Sequence, residues 1–448
     1  MAENKQSNTP QRYNETVEWL FGIQRFGSKL GLVNIRHLLG LLGDPHESFK
    51  SIHITGTSGK GSTTAMISSI LHAAGHRVGM FTSPHLSSFT ERIRVNGEPI
   101  PPGEVVRIVD EIRPHVEEMA ETEGLRHPTF FEVITGIAFK YFSEQGVDFA
   151  VLEVGMGGRL DATNVVQSLV SVITNVSLEH TYVLGDTVLE IAEKKAGIIK
   201  KGGVLITATE DDAVYDLFSD ICKEEGSRIF RVGGDIRFKK LRANLEGQWF
   251  QYNGLSHRLG ELFIPLIGRH QLVNASTAVG AIEALGLHSI QIPEEAIVKG
   301  LRRVSWPGRL EVMQESPLVV LDSAKDTEAA RAARDAILEE FTYNRLIAVV
   351  SISSDKNIPE MIGHLAQIVD HFIVTTHRVM GRAAEPSVIT GEVEKHSRSY
   401  QIIPSVKDAV EAAVEMAEEN DMVIVVGSVF LVGEARELWH KPPYPDPV

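Results

Sequence analysis

The apolar positions of this 448-residue chain fall into two alternating patterns. Short runs of β-branched residues, bounded by Gly, Asn or Asp, read as strands. Longer stretches with an apolar residue every three or four positions read as helices. Residues 13–42 read as helices, with Trp19, Leu20, Ile23, Leu38, Leu39 and Leu42 at helical spacing. Residues 51–54 read as a first strand, and 60–74 as a helix carrying Ala65, Ile67, Ile70, Leu71 and Ala74. A second strand spans 77–82, and 91–100 reads as a hairpin on Asn96 and Gly97. Helices follow over 103–124 and 129–145, the latter opening on Thr129 with Glu132 at the capping-box spacing. Residues 148–154 and 169–174 are almost continuously apolar, as parallel strands are when both faces are covered. A helix over 187–200, strands 204–207 and 228–232 with a helix between, an alternating stretch 235–264, and helices 271–285 and 293–301 complete a first unit.

After the irregular segment 304–309 a fresh alternation begins. It predicts strands at 318–321, 345–351, 371–376 and 422–426, with helices at 326–341, 357–368, 405–419 and 430–439. The expected fold is therefore α/β with two domains: 1–303, built on a mostly parallel sheet, and 304–448, a second doubly wound unit. The proline-rich end, from Lys441 to Pro447, is expected to fray.

Composition adds limits. At 43% apolar and 23% charged the chain is an ordinary globular one, and its length calls for two or three domains. A net charge of -15 argues against non-specific nucleic-acid or anionic-membrane binding. The single cysteine, Cys222, allows no internal disulfide and reads as a packed or idle thiol. The first twenty residues lack an apolar signal core, and no stretch is long and apolar enough to span a membrane, so a cytoplasmic protein is expected.

The densest chemistry sits between the first strand and its helix. Gly56, Thr57, Ser58, Gly59, Lys60, Gly61 and Ser62 form a glycine-rich turn with one lysine at the helix start. Glycines let backbone N–H groups approach an anion, the helix N-terminus adds positive potential, and Lys60 adds a point charge. A triphosphate suits it. The loop is a variant: Ile54 stands where the usual pattern has its first glycine, and Gly61 where a hydroxyl follows the lysine, the hydroxyl moving on to Ser62. Ser83, Glu153 and His180 also follow strands of the first unit, and ligands of open parallel sheets gather at that edge. Phosphates beside a carboxylate and a hydroxyl suggest a nucleotide with Mg²⁺; His180 is a softer ligand than that ion prefers.

These residues, with Ser83-Pro-His-Leu86, Glu91-Arg-Ile-Arg-Val95, Thr129-Phe-Phe-Glu132, the run from Leu152 to Asn164, Lys195-Ala-Gly-Ile-Ile199, Gly268-Arg-His-Gln-Leu-Val-Asn274, Trp306-Pro-Gly-Arg309 and the run from Gly427 to Glu434, make the chain resemble the folylpolyglutamate synthase and dihydrofolate synthase family of Mur ligases. The resemblance implies ATP bound by the loop from Gly56 to Ser62 and by Asn274, Arg309 and Asp322. It implies Mg²⁺ on Ser83, Glu153 and His180, and a carbamylated Lys195 bearing on a second magnesium. Lys60, Lys195 and His180 would then be catalytic. It places a pterin acid on Lys29, Leu30, Gly31 and Leu32, on Thr129, Phe130, Phe131 and Glu132, and on Leu160, Asp161 and Ala162. The amine would lie near Lys325 and Ser428. The implied reaction is phosphorylation of a carboxylate by ATP and capture of the acyl phosphate by glutamate, with closure about 304–309. A monomer acting on small molecules is expected.

One segment departs from the family. Asp322-Ser-Ala-Lys-Asp326 stands where the family has Asp-Gly-Ala-His-Asn, so Lys325 and Asp326 replace two groups that could be neutral hydrogen-bonders. Ser58, Glu179 and Lys194 are milder changes. Two alternatives follow: the same chemistry on another pterin-like acid or another amine, and a nucleotide-binding homologue that has lost ligation.

Overall fold

The computed structural model describes residues 9–27, 30–379, 381–442 and 444–446. The first sheet is built from β1 (Lys50–Thr55), β2 (Val78–Phe81), β3 (Ile93–Val95), β4 (Glu98–Pro99), β5 (Phe149–Glu153), β6 (Val170–Ile173), β7 (Val204–Thr207) and β8 (Arg228–Arg231). Their order is β4-β3-β2-β5-β1-β6-β7-β8, parallel from β2 to β8 and antiparallel at the β2–β3 and β3–β4 pairs. The period of two along β5 explains its unbroken apolar run. Phe149 and Val151 join the core on one face, and Ala150 and Leu152 the core on the other.

β9 (Arg237–Asn244), β10 (Gly247–Asn253) and β11 (Arg258–Ile264) form a separate antiparallel sheet, as the 235–264 alternation predicts. The helix Arg269–Ala284 then packs against the phosphate-loop helix Lys60–Ala73. Beyond residue 304 lie β12 (Glu311–Glu315), β13 (Leu318–Asp322), β14 (Leu346–Val350), β15 (His371–Val374), β16 (Ser399–Ile402) and β17 (Met422–Val426), ordered β12-β13-β17-β14-β15-β16. All of these pairs are parallel except β12–β13. Val320, Ala348 and Ile424 enter one core, while Val319, Val349 and Val425 enter the other.

β12, the helix Pro386–Lys395 and β16 went unpredicted. Both strands lie at sheet edges and carry polar residues such as Gln314 and Gln401, so neither presents an apolar run. The expected fraying beyond Lys441 also fails for the described part: Asp446 is tied to the first lobe, as detailed below. Lys29 lies outside the described residues. No described helix is long and apolar enough to cross a membrane.

Candidate active site

The strand order puts the carboxyl ends of β2, β5, β1 and β6 side by side, and a cleft of about 590 Å³ opens there against the second lobe. Lys60, Ser62, Ser83, Glu153 and Asn274 line it from the first lobe, and Arg309, Asp322 and Lys325 from beyond the 304–309 segment.

The phosphate loop is braced from the end of β6. Asn175 takes the Thr57 N–H on its carbonyl at 3.0 Å and the Ser58 N–H on Oδ1 at 2.8 Å, while Thr174 Oγ1 donates to the Ser58 carbonyl at 2.6 Å. With those two amides engaged, the first-turn N–H groups of the helix Lys60–Ala73 are the ones left without an intrahelical acceptor. Gly59 enters that helix at φ 84, a conformation that favours glycine, and a Cβ there would collide with Asn274 Oδ1. A Cβ on Gly61 would stand 2.6 Å from Trp306 Cζ2. Lys60 Nζ curls back onto the carbonyls of Gly56 and Thr57, at 2.8 and 3.0 Å. Ser58 Oγ, Trp306 Nε1 and Ser323 Oγ are buried without a hydrogen-bond partner, and all three residues line the cleft. Unpaired buried polar atoms gathered in one cavity mark a place where a polar ligand is expected.

Glu153 ends β5 with its carboxylate buried, and Oε2 accepts the Ser83 N–H at 3.1 Å. Burial pushes its carboxyl pKa up, against the pull of Lys60. Among the described residues no group of three or more His, Cys, Asp or Glu could hold a metal ion. Ser83 and Glu153 nevertheless fit magnesium: both offer oxygen, and a bound cation would favour the buried carboxylate.

His180 and Lys195 are not among the residues lining the cleft, although the Lys60 charge reaches both of them as it does Glu153. His180 sits at φ 45 ahead of the helix Thr181–Leu184, its ring edge-on to Tyr182 at 6.1 Å. Burial lowers its pKa to about 4 despite Glu179. Lys195 is 1% exposed and its Nζ meets Glu179 Oε1 at 2.5 Å. Burial pulls the lysine down to about 8, and Glu179 only partly opposes it. Burial works to raise Glu179, but Lys60 and Lys195 outweigh it and hold the carboxyl at about 2.

Across the cleft, Asp322 ends β13 and accepts the N–H of Leu310 and of Ala324, each at 2.9 Å. Arg309 donates to the Gly308 carbonyl at 2.8 Å, and burial lowers its pKa while Asp322 and Glu153 oppose. Asp326 caps the helix Thr327–Glu340 through Ala329 N–H at 2.9 Å. Lys325 just before it shows no hydrogen bond or ion pair among the described residues. Burial, and after it the Lys60 charge, lowers its pKa. Ser428 caps the helix Val429–Arg436.

The segments expected to take a pterin acid form a neighbouring wall. Gly31 N–H donates to the Leu160 carbonyl at 3.1 Å, so the 30–32 and 160–162 segments touch. Leu30 and Leu160 are exposed, while Leu32 is half-buried. Asp161 is buried and committed to Met156 and Thr163 N–H groups, and Ala162 is buried beside it. Thr129 and Glu132 complete a capping box, and Glu132 also pairs with Arg126 at 2.8 Å. Phe131 packs on Phe81, and Phe130 on Phe21. Asp161, Thr129 and Glu132 therefore shape this wall from behind; Leu30, Leu160 and Phe130 are its more open members.

Asn175 is a site residue that the sequence reading does not name, while Trp306 and Glu179 appear there only within motifs and with no role. Asn175 had a usable signal, since it follows the strand next to β1.

The fold and the two-sided cleft define a Mur-type ligase. Residues 105–282 match the Mur ligase middle domain, and residues 308–429 the domain described as "Mur ligase, glutamate ligase domain". The chain is 35% identical to the dihydrofolate synthase/folylpolyglutamate synthase of Bacillus subtilis, over 95% of this chain and 98% of that one. It is 39% identical over 96% of its length to a probable bifunctional folylpolyglutamate synthase/dihydropteroate synthase of Haloferax volcanii, but spans only about half (51%) of that protein. The solved structure of E. coli FolC in complex with DHPP and ADP superposes with a TM-score of 0.85, at 30% identity over 94% of this chain and 97% of that one. The chain belongs to the folylpolyglutamate synthase/dihydrofolate synthase family of Mur ligases.

Proposed function

We propose that this chain is an ATP-dependent ligase that joins L-glutamate to the carboxylate of a folate-type pterin acid. The observation that carries the reading is the cleft itself. A phosphate loop on one wall faces Arg309, Asp322 and Lys325 on the other, and three orphaned polar atoms line the space between. Relatives named for this activity, and one solved with ADP and DHPP, support it.

In this reading the loop from Gly56 to Ser62 holds the ATP phosphates, with Asn274, Arg309 and Asp322 on the nucleotide. Leu30, Leu160 and Phe130 present the pterin acid. Its carboxylate oxygen attacks the γ-phosphorus, ADP leaves, and the glutamate amine then attacks the carbonyl carbon and expels phosphate. Positioning two anions against each other is the main task, and fixed positive charge lowers its cost. Lys60 supplies that charge, drawn from its resting contacts with Gly56 and Thr57. Ser83 and Glu153 would hold magnesium, which would offset charge on the phosphoryl oxygens.

Carbamylation of Lys195 belongs to the same reading. An amine held near pKa 8 is partly free base at neutral pH, the form that adds CO₂. The product would place a second anion beside Glu179, which would then need a cation between them. Incubation with ATP, glutamate and either dihydropteroate or a reduced folate, followed by mass spectrometry, tests the proposal. A product heavier by one glutamyl residue is expected; ATP hydrolysis stimulated only by a different amine would replace glutamate with that amine.

A further inference from the structure

The loop carrying Ser83 is held from the opposite lobe at two points. Leu86 packs against the second-lobe apolar cluster that includes Leu431 and Val432. Its carbonyl lies so close to Gly433 that any Cβ there would collide with it, and Ser87 Oγ donates to the Gly433 carbonyl at 3.2 Å. Further along, the chain returns from the second lobe to the first. Asp446 Oδ1 accepts the Phe89 N–H at 2.8 Å, and Oδ2 lies 2.8 Å from His85 Nε2. The His85 and Asp446 side chains are only 11% and 16% exposed.

The protonation of this chain of contacts follows from its far end. Arg92 Nε stands 2.8 Å from His85 Nδ1. A guanidinium can only donate, so Nδ1 accepts, and the ring proton sits on Nε2 facing Asp446. An ordered chain thus runs Arg92 to His85 to Asp446, with cationic and anionic ends. It also borders the substrate wall: the Phe21 ring lies 6.2 Å from His85, and Arg92 Cζ lies 5.4 Å from the Phe130 ring.

We infer that Asp446, His85 and Arg92 form a clasp by which the returning segment of the second lobe sets the 83–92 loop, and with it Ser83 and Phe130, so that lobe closure and assembly of the site are one event. Asp446 and His85 are then positioning residues. Only the kinetic part of this inference rests on the ligase reading.

The test uses the full chain with Asp446→Asn, which can no longer accept both hydrogen bonds as a carboxylate, and Gly433→Ala, which wedges the other anchor. Amide hydrogen exchange across 83–92 is expected to quicken about tenfold or more in Asp446→Asn, as loss of a charge-assisted hydrogen bond predicts, and to quicken also in Gly433→Ala, where the added methyl displaces Leu86, with the thermal midpoint little changed. In turnover, kcat should fall while KM for ATP moves less, because the phosphate loop is untouched. Asp446→Glu should recover part of the loss, and Asp446→Asn with His85→Gln should be no worse than either alone. Wild-type exchange in 83–92 for both single variants, or additive losses in the double variant, would overturn the clasp. A wild-type protein that ligates nothing would sink the ligase reading, while the exchange result still decides the clasp.

Discussion

In the protein before Lys195 is carbamylated, replacing Glu179 by Gln strands the Lys195 ammonium. The pair is buried at 2.5 Å, with Lys195 1% and Glu179 16% exposed. Burial lowers Lys195 from 10.5 to about 8, and the two lysines bring Glu179 from 4.5 to about 2 in spite of its own burial. Both shifts contain the same Lys195–Glu179 attraction, which offsets part of the cost of burying the two charges. Removing one partner is different, since a lone buried charge costs about 3–5 kcal/mol. The lysine limits that cost by losing its proton. Without Glu179 its folded pKa falls below 8, and between that value and 8 the folded variant has released a proton that the unfolded chain keeps. Variant stability therefore rises with pH through this window while the wild type stays level, and the gap narrows by about 1.4 kcal/mol per pH unit. Above pH 8 both proteins gain in parallel up to 10.5. Below 4.5 the wild type loses its Glu179 contribution as that carboxyl protonates, so the gap shrinks there too. Denaturant unfolding followed by circular dichroism at pH 5.5, 7 and 8.5 reads this directly. The Glu179→Gln, Lys195→Met double variant, which has no stranded charge, should be more stable than Glu179→Gln at pH 5.5. A gap independent of pH, or a double variant as weak as the single one, would refute the reasoning.

Lys60→Gln should keep the fold, because Nζ touches only loop carbonyls, and should lower kcat by roughly 10²–10³ in steady-state assays, as loss of one electrostatic stabiliser does. Gly61→Ala pushes a methyl to 2.6 Å from Trp306; overpacking of about 1–3 kcal/mol should appear as weaker ADP binding by calorimetry. With the amine substrate lying near Lys325, as the family resemblance implies, Lys325→Gln should raise KM for the amine about tenfold or more and leave KM for ATP near wild type, the size expected when one charged hydrogen bond is lost. Cys222 is buried with its thiol pushed up to about 12, so an alkylating reagent at pH 8 should leave the native protein unmodified and label it only after denaturation.

The parts legible in the sequence are those with a local or nearly local signal. The apolar runs of β1, β5 and β6 and the glycines before Lys60 announce a parallel sheet and an anion loop, and the parallel-sheet rule brings Ser83, Glu153 and Lys60 into one cleft. The partners that fix those groups depend on contacts distant in sequence. Asn175 reaches Ser58 across 117 residues, and Asp446 reaches Phe89 across 357. Nothing in Pro442 to Asp446 signals docking, because two hydrogen bonds there outweigh the fraying that its prolines suggest. The strand-end rule groups His180 with Ser83 and Glu153; six residues separate it from the end of β6, and it is not among the residues lining the cleft.

The central claim is that ATP transfers its terminal phosphoryl group to the acid's own carboxylate within the cleft. Turnover of a pterin acid carrying oxygen-18 in that carboxylate, with ATP and glutamate, tests it most directly. The account predicts one labelled oxygen in the released inorganic phosphate; amide product formed with unlabelled phosphate would contradict it.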